Sequence, residues 1–429
     1  MFLRKLFGKN GGDGVQNLSK LCDALLAVSG EYASTALARD TLEAYKALDE
    51  SARTRFLDTL ARDYSPRPEA VSQSAAAYQA NPSPENLARL EQSVEPLRRD
   101  LFRRLNMAPG GTAALVEMRK QVLQGMRTHA HWRVIDADLL HLLREWFNRG
   151  FLRLERIDWR TSAIVLEKLI QYEAVHAIQG WRDLRRRLEA DRRCFAFFHP
   201  QLPEEPIIFI EVALTRSMAA HIQPLLDIAS PVTTAHSECA MFYSITNCQE
   251  GLRGISFGNM LIKHVAEELK REFPHIRRFA TLSPLSGFRR WLEQQRVEHP
   301  KELASLARLD QPDWHVAEVP EALQRTLLRL CAHYLLRAKH GDEPLDAVAR
   351  FHLGNGAALE RINWMGDISE TGMARSAGLM VNYVYWLDEL EKNHERYFRE
   401  HAIAASSAVE KMARESMLSS KAQNGAAAQ

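Results

Sequence analysis

Residues 351–386 are dense in side chains that can carry out acid–base chemistry. This segment combines His352, Asn355 and Tyr385 with other polar groups and with five glycines. Buried polar side chains need hydrogen-bond partners, and histidine titrates near neutral pH. The segment follows no simple helical or strand period, so we expect loops between regular elements, where sites tend to lie. On the residues alone, a single histidine is more often structural than catalytic.

A second candidate is Ser283, which precedes Pro284 in the string TLSPLSGF. Proline disfavours the helical conformation in the residue before it, so we expect Ser283 to be extended at a strand end. The same residues also fit an ordinary turn serine. The G-x-S-x-G pattern of nucleophilic serine hydrolases is missing from the sequence, which argues against an acyl-serine hydrolase.

A third candidate is the loop that precedes a predicted helix at residues 259–272. The N–H groups at a helix N-terminus bind phosphate oxygens, and glycines let the backbone approach closely. A nearby arginine adds charge-assisted hydrogen bonds. The loop residues, called the phosphate loop below, are Arg253, Gly254, Ile255, Ser256, Phe257, Gly258 and Asn259. Taken alone, a plain loop-to-helix junction explains them equally well.

The composition is that of a globular protein. The chain has 429 residues, of which 46% are hydrophobic and 26% are charged, enough for two or three domains. Its 56 basic and 54 acidic side chains leave a net charge of +2, which argues against nucleic-acid binding. No uncharged apolar run approaches the ~18 residues of a membrane span. Five scattered cysteines without a C-x-x-C pair favour a reducing compartment, so we expect a cytoplasmic protein.

The organisation of the chain changes near residue 190. Before it, successive segments place apolar residues on one helical face, as at Leu18, Leu21 and Leu25. After it, strand-like runs at residues 207–214, 241–246, 278–282 and 378–387 alternate with helical segments. We therefore predict a flexible N-terminus (1–14), an all-helical bundle domain (15–190), a mixed-sheet domain (191–418) and a disordered tail (419–429).

Several long strings resemble the malonyl-CoA decarboxylase family. They are YEAVHAIQGWRDLRRRL (172–188), HPQLPEEPIIFIEVALT (199–215), FYSITNCQEGLRGISFGNMLIKHVAEELKREFP (242–274), TLSPLSGFRRWL (281–292) and the segment 351–386. The resemblance implies a helical domain that mediates self-association, followed by a domain with a Gcn5-related N-acetyltransferase-like fold. It implies decarboxylation of malonyl-CoA to acetyl-CoA and CO2 through an enolate. Coenzyme A is then part of the substrate, and no metal, biotin or pyridoxal phosphate is expected.

The resemblance also implies roles for individual residues. It assigns catalysis to Ser283 and His352, with His352 as the expected proton donor and Ser283 orienting the carboxylate or relaying the proton. His199 matches a functionally sensitive position of the family, although a histidine before a proline can equally be a structural strand cap. We add Asn355 and Tyr385 as candidates that position the thioester or the carboxylate of the substrate. The phosphate loop is similar to the R-x-x-G-x-G pyrophosphate loop of acetyltransferases, with a serine in place of the middle glycine.

Two further groups of residues have ordinary interpretations. His129 and His131 have no acidic or cysteine ligand beside them in the sequence, so no metal site is predicted there. A basic run is expected on a solvated or salt-bridged face, with contact to the 3′-phosphate of coenzyme A as an alternative. Its members are Arg185, Arg186, Arg187, Arg192 and Arg193.

Two other functions stay open at this point. An acyl-CoA-dependent N-acyltransferase fits the expected fold, but it needs a general base beside an amine acceptor, and the sequence identifies none. A non-catalytic acyl-CoA sensor fits if the helical domain is its output. The motifs around Ser283 and His352 weigh against both. We expect a homo-oligomer, either a dimer or a tetramer.

Overall fold

The protein consists of two compact units. The helical unit comprises Met1–Leu152, Phe198–Glu205 and Gln249–Ser256, and the sheet unit comprises Arg153–Phe197, Pro206–Cys248 and Phe257–Gln429. A computed structural model describes residues 14–232, 236–255, 257, 260–311, 313–316 and 318–418. The predicted flexible N-terminus and disordered tail lie, apart from residue 14, outside the described residues. None of the described helices is long and apolar enough to cross a membrane.

The helical unit confirms the prediction of an all-helical N-terminal region. In α1 the predicted face is buried through Leu18, Leu21 and Leu25, and α3 begins after Asp49, whose side chain accepts a hydrogen bond from Ala52 N. The helices are α1 (Gly14–Ala27), α2 (Glu31–Lys46), α3 (Glu50–Asp63), α4 (Pro68–Ala80), α5 (Pro84–Val94), α6 (Leu97–Asn106), α7 (Gly111–Gly125) and α8 (Arg133–Trp146).

The sheet unit mixes strands and helices, as predicted. Its strands are β1 (Arg153–Ile157), β2 (Arg192–Phe198), β3 (Ile208–Thr215), β4 (Cys239–Asn247), β5 (Arg278–Thr281), β6 (Ser283–Pro284), β7 (Lys339–His340), β8 (Glu343–Pro344), β9 (Ala358–Asn363) and β10 (Met380–Val384). Its helices are α9 (Ala163–Tyr172), α10 (Trp181–Arg187), α11 (Gln223–Leu226), α12 (Met260–Glu272), α13 (Phe288–Glu298), α14 (Glu321–Arg337), α15 (Ala347–Gly354), α16 (Glu370–Ser376), α17 (Leu390–Glu400) and α18 (Ser407–Arg414).

The main sheet has the order β1-β2-β3-β4-β5-β10-β6, and β9 also pairs with β10. The β4–β5 pair is parallel, whereas β2–β3, β3–β4 and the pairs made by β10 are antiparallel. All seven residues of β2 are buried, as are the first seven of β3. Both strands are therefore covered on both faces, and their charged residues Arg192, Arg193 and Glu211 are buried in ion pairs.

Two features differ from the sequence prediction. The sheet unit begins at Arg153 and not near residue 190, because β1 joins the sheet beside β2. The helices α9 and α10, which belong to this unit, looked like a continuation of the helical bundle. The segment 351–386 is also more regular than the predicted loops. It holds β10, which confirms the strand predicted at residues 378–387, and also the end of α15 and the whole of β9 and α16. The elements β9 and α16 are too short for their periodicity to show.

Candidate active site

A cavity lies where the two parallel strands of the sheet unit separate. The strands β4 and β5 stay paired as far as Phe242 and Thr281. Beyond this point β4 continues to Asn247 beside β3, whereas β5 ends. The cavity has a volume of about 230 Å³ and is lined by Val175, Phe242, Tyr243, Ser244, Ile245, Asn247, Leu282, Ser283, Pro284, Ala347, Val348, Phe351 and His352. Ligands often bind at the carboxyl ends of parallel strands in this way.

Ser283 is fixed in this wall by backbone pairing and by a neighbouring hydroxyl. It is extended in β6, as predicted, and pairs with Val381 of β10. Its hydroxyl donates to Thr281 Oγ1 at 2.8 Å, and that oxygen also accepts from Tyr383 N at 3.2 Å. Only 5% of the Ser283 surface is exposed. The side chain therefore has a defined direction in an environment shielded from water.

His352 reaches the same wall from α15. This helix begins after Asp346, whose carboxylate accepts from Val348 N and Ala349 N, both at 2.9 Å. The Nε2 atom of His352 lies 2.9 Å from Ser283 Oγ. The imidazole ring stacks on the ring of Tyr383 with centroids 4.6 Å apart and an interplanar angle of 26°. Capping and stacking together hold the imidazole against the serine, although the two residues are 69 positions apart.

Tyr385 contacts the other nitrogen of His352. Its hydroxyl lies 2.7 Å from Nδ1, and it bonds to no other group in the part of the chain that the structure describes. Burial raises the pKa of the Tyr385 phenol well above its usual value. The phenol therefore stays protonated, and its O–H donates a hydrogen bond to His352 Nδ1. The remaining imidazole proton is then on Nε2 and points to Ser283 Oγ. The result is a directed chain of hydrogen bonds from Tyr385 through His352 and Ser283 to Thr281.

The imidazole at the centre of this chain is uncharged at neutral pH. Burial lowers the pKa of His352 from 6.5 to about 3, because desolvation disfavours the imidazolium ion. The expectation that His352 titrates near neutral pH, as an unperturbed histidine does, is therefore wrong for the folded protein. A negatively charged ligand in the cavity would oppose this shift, because an opposite charge nearby favours the protonated form.

A buried carboxylate supports another part of the cavity wall. Ser244 Oγ donates to the carboxylate of Glu173, with its two oxygens at 2.9 and 2.8 Å, and Thr246 Oγ1 donates to it at 3.2 Å. The same carboxylate accepts from Val175 N and His176 N, both at 2.8 Å. Four groups thus compensate this buried charge and hold Ser244 at the cavity.

The basic run is internal and not a solvated face. Arg186 and Arg192 pair with Asp191, Arg187 pairs with Asp183 and Glu211, and Arg193 pairs with Glu272. All four of these arginines are buried, whereas Arg185 lies over the ring of Trp159. The salt-bridged interpretation therefore describes these four residues, and their charges are already matched inside the sheet unit.

Two other residues that were predicted to contact substrate form hydrogen bonds to main-chain groups of the protein. Asn355 caps the C-terminus of α15, and its Nδ2 donates to Phe351 O at 2.5 Å. His199 belongs to the helical unit, where Nε2 donates to Trp146 O at 3.1 Å and Nδ1 accepts from Gln201 N at 3.2 Å. These bonds satisfy both ring nitrogens of His199 and account for its burial without a ligand.

The phosphate loop is only partly described. Arg253 is exposed, Gly254 has a φ of +80°, and Ile255 and Phe257 are buried. The Arg144 guanidinium donates to Gly254 O at 3.3 Å. Ser256, Gly258 and Asn259 lie outside the described residues. The positive φ of Gly254 explains a glycine at this position, since an L side chain would be strained there.

Sequence reasoning missed Thr281 and Tyr383, which position Ser283 and His352. Side chains two residues apart in a strand point to the same face of the sheet, and this alternation could have identified them. Thr281 precedes Ser283 by two residues and Tyr383 precedes Tyr385 by two, so each shares a sheet face with a candidate residue. Among the described residues, one group of three or more side chains could hold a metal ion, and it belongs to the helical unit and not to this cavity.

A serine–histidine pair in a small shielded cavity is an arrangement typical of enzymes that move protons during catalysis. Comparison with known proteins narrows this class. The family descriptions "Malonyl-CoA decarboxylase N-terminal domain" and "Malonyl-CoA decarboxylase C-terminal domain" match residues 64–147 and 150–424. The chain therefore belongs to the malonyl-CoA decarboxylase family.

Individual relatives agree with this assignment. Mitochondrial malonyl-CoA decarboxylase of Anser anser anser is 37% identical over 406 residues, covering 85% of this chain and 81% of the relative. The Rattus norvegicus protein is 36% identical over 411 residues, covering 86% and 84%. The crystal structure of malonyl-CoA decarboxylase from Rhodopseudomonas palustris has 48% identity and a TM-score of 0.89, covering 94% of this chain and 100% of that one. The Agrobacterium vitis structure has 44% identity and a TM-score of 0.87, covering 92% and 99%.

Proposed function

We propose that this chain decarboxylates malonyl-CoA to acetyl-CoA and CO2 in the cavity of the sheet unit. The observation that carries the proposal is the hydrogen-bonded chain of Tyr385, His352 and Ser283 at the cavity wall. The volume of about 230 Å³ is several times the ~30 Å³ of a water molecule in the liquid. It can therefore take a small acyl group.

The first step breaks the bond between the malonyl carboxylate carbon and the α-carbon. The electron pair of this bond moves into the thioester, which becomes an enolate, and CO2 leaves. Most of the lining side chains are apolar, among them Phe242, Leu282 and Phe351. Such a wall favours neutral CO2 over the carboxylate. The Ser283 hydroxyl turns from Thr281 to the enolate oxygen and stabilises its charge, while His352 Nε2–H supports Ser283 Oγ.

The second step adds a proton to the α-carbon. The malonyl carboxylate raises the pKa of His352 as it binds, so His352 takes up a proton from solvent. Its Nδ1–H then donates to the Tyr385 oxygen, and its Nε2–H donates to Ser283 Oγ. The proton passes from Nε2 through the Ser283 hydroxyl to carbon, which restores the neutral imidazole. One proton is consumed for each CO2 released.

Coenzyme A is bound, in this proposal, by the phosphate loop. The hydrogen bonds that His199, Asn355 and Tyr385 already make to protein groups favour supporting roles for these three residues. The exposed guanidinium of Arg253 and the positive φ of Gly254 support this role for the loop. The thioester itself accepts the electron pair, so we propose a reaction without metal or organic cofactor. An acetyltransferase-like sheet is part of the proposal, supported by the parallel β4–β5 pair with α12 between the two strands in sequence.

The test is release of CO2 and acetyl-CoA from malonyl-CoA by purified protein in EDTA. We expect turnover by the wild type and a loss of about a hundredfold or more in Ser283→Ala and in His352→Ala. The exposed His141→Ala serves as the control and should keep wild-type activity. In D2O the product should carry one deuterium in its acetyl methyl group, because one proton is added at carbon.

Other outcomes would reject the proposal in distinct ways. Binding of malonyl-CoA without CO2 release would support an acyl-CoA sensor. Acyl transfer to an added amine would support an N-acyltransferase. Full activity in both Ser283→Ala and His352→Ala would show that these side chains are not needed for catalysis. It would reject the proposed mechanism but not the decarboxylase activity.

We also propose that the helical unit mediates self-association. The helices α4 and α5 contain no buried residue, and the apolar side chains of Leu87, Val94 and Leu97 are exposed on this unit. Light scattering should find a dimer or tetramer that Leu87→Asp weakens. The five cysteines are buried and none forms a disulfide, which supports a reducing compartment, and we propose the cytoplasm.

A further inference from the structure

Three metal-ligating side chains meet in the helical unit. Asp58 lies on α3, and His129 and His131 lie in the short segment before α8. His131 Nε2 is 2.7 Å from Asp58 Oδ1, and His129 Nδ1 is 3.9 Å from the same oxygen. One ligand atom from each residue lies within 4.8 Å of the other two. The acidic ligand is 73 positions from His131, so the sequence around the histidines does not reveal it.

Neighbouring groups hold these side chains in place without an ion. Trp132 is buried, and its Nε1–H donates to Asp58 Oδ1 at 2.8 Å. The ring of His129 stacks on Trp132 with centroids 4.3 Å apart and an interplanar angle of 10°. Gly125 makes room for this arrangement, because a Cβ there would lie 2.1 Å from the Trp132 ring.

The backbone of this segment is also fixed. The N–H of His129 donates to Gly125 O at 2.9 Å, and the N–H of Trp132 donates to His129 O at 3.0 Å. The two histidines are thus preorganised on one short turn, and the carboxylate comes from a separate helix. Metal ligands in proteins are typically oriented by such surrounding hydrogen bonds.

The ligand set and its dimensions suit zinc. Zinc binds imidazole nitrogens and carboxylate oxygens at about 2.0–2.2 Å, so its tetrahedral ligand atoms lie about 3.3 Å apart. The separations of 2.7 and 3.9 Å lie on either side of this value. A simple ion pair explains the contact between Asp58 and His131, but it does not require the second imidazole.

We propose that Asp58, His129 and His131 bind one divalent cation of the zinc type, with water as the remaining ligand. The ion would link α3 to the segment before α8 and so stabilise the helical unit. It takes no part in the decarboxylation proposed above. Two imidazoles and one carboxylate favour Zn²⁺ and its first-row neighbours over Mg²⁺ or Ca²⁺, which prefer ligand sets made of oxygen.

The experiment is calorimetric titration of tag-free, EDTA-treated full-length protein with ZnCl2. We expect one equivalent to bind to the wild type, and affinity about tenfold or more weaker in both His129→Ala and His131→Ala. His141→Ala is the matched control, because His141 lies 3.4 Å from Glu145 but belongs to no group of three possible ligands among the described residues. Zinc should raise the melting temperature of the wild type and of this control only.

Asp58→Asn keeps an oxygen that can accept from Trp132 and removes the negative charge. This variant should fold and bind zinc weakly. If an alanine variant fails to fold, Asp58→Asn still tests whether the site binds zinc. Wild-type protein that binds no zinc would overturn the proposal. Wild-type affinity in the three ligand variants would overturn it equally, because zinc would then be bound elsewhere.

Discussion

Tyr385→Phe tests the inferred direction of the hydrogen bonds at the cavity. The substitution removes the hydroxyl that lies 2.7 Å from His352 Nδ1 and leaves a buried nitrogen without a partner. Such a loss costs about 1–3 kcal/mol, and each 1.36 kcal/mol corresponds to about tenfold in rate. Because Tyr385 acts through His352 in this argument, we expect kcat to fall about 10- to 100-fold. KM should change by no more than about threefold.

Tyr383→Phe is the matched control for this experiment. Tyr383 stacks on the same imidazole, but its buried hydroxyl has no hydrogen-bond partner among the described residues. Removing an unsatisfied hydroxyl should leave kcat within about threefold of wild type and should preserve or raise stability. Urea unfolding and steady-state CO2 release would be measured for both variants. Wild-type kcat in Tyr385→Phe, or equal losses in the two variants, would refute the positioning role of Tyr385.

Two further predictions concern titration and thiol access. The pKa of His352 is lowered to about 3, so the unfolded chain takes up a proton near pH 6.5 and the folded chain does not. The stability that His352 contributes is therefore present above pH 6.5 and lost as the pH falls towards 3. Between pH 7 and 5.5 the wild type should lose about 1 kcal/mol more unfolding free energy than His352→Gln, and an equal loss would contradict the lowered pKa. All five cysteines are buried and none forms a disulfide. A thiol reagent should therefore react slowly with the native protein, and it should react with five thiols after denaturation. Rapid reaction of the native protein would contradict this burial.

Much of the secondary structure followed from local sequence patterns. The apolar periodicity of Leu18, Leu21 and Leu25 predicted a helix that buries these residues. The runs behind β3, β4 and β5 predicted strands because β-branched and aromatic residues favour a buried pleated surface. The shorter elements β1 and β9 were missed, since pairing with neighbouring strands and not local propensity creates them. The same dependence on pairing moved the start of the sheet unit to Arg153.

Candidate residues of the site came from the sequence and its family resemblance, which singled out Ser283, His352 and Tyr385. The sequence did not predict how these residues are arranged. Ser283 and His352 are 69 positions apart, and local sequence patterns carry no information on contacts between such distant residues. Only the tertiary structure decided that Tyr385 bonds to His352 and that Thr281 orients Ser283.

Protonation was likewise decided by the tertiary structure. Sequence determines that His352 is an imidazole with an ordinary pKa near 6.5, but burial in the sheet unit removes the water that would stabilise its charged form. The arginines near residue 190 are always charged, yet only folding matches them with Asp183, Asp191, Glu211 and Glu272. Sequence by itself therefore determined which groups are present and which elements carry them. Solvent exposure and the distances between groups far apart in the chain decided their charge states and partners, because electrostatic and hydrogen-bond energies depend on the folded surroundings.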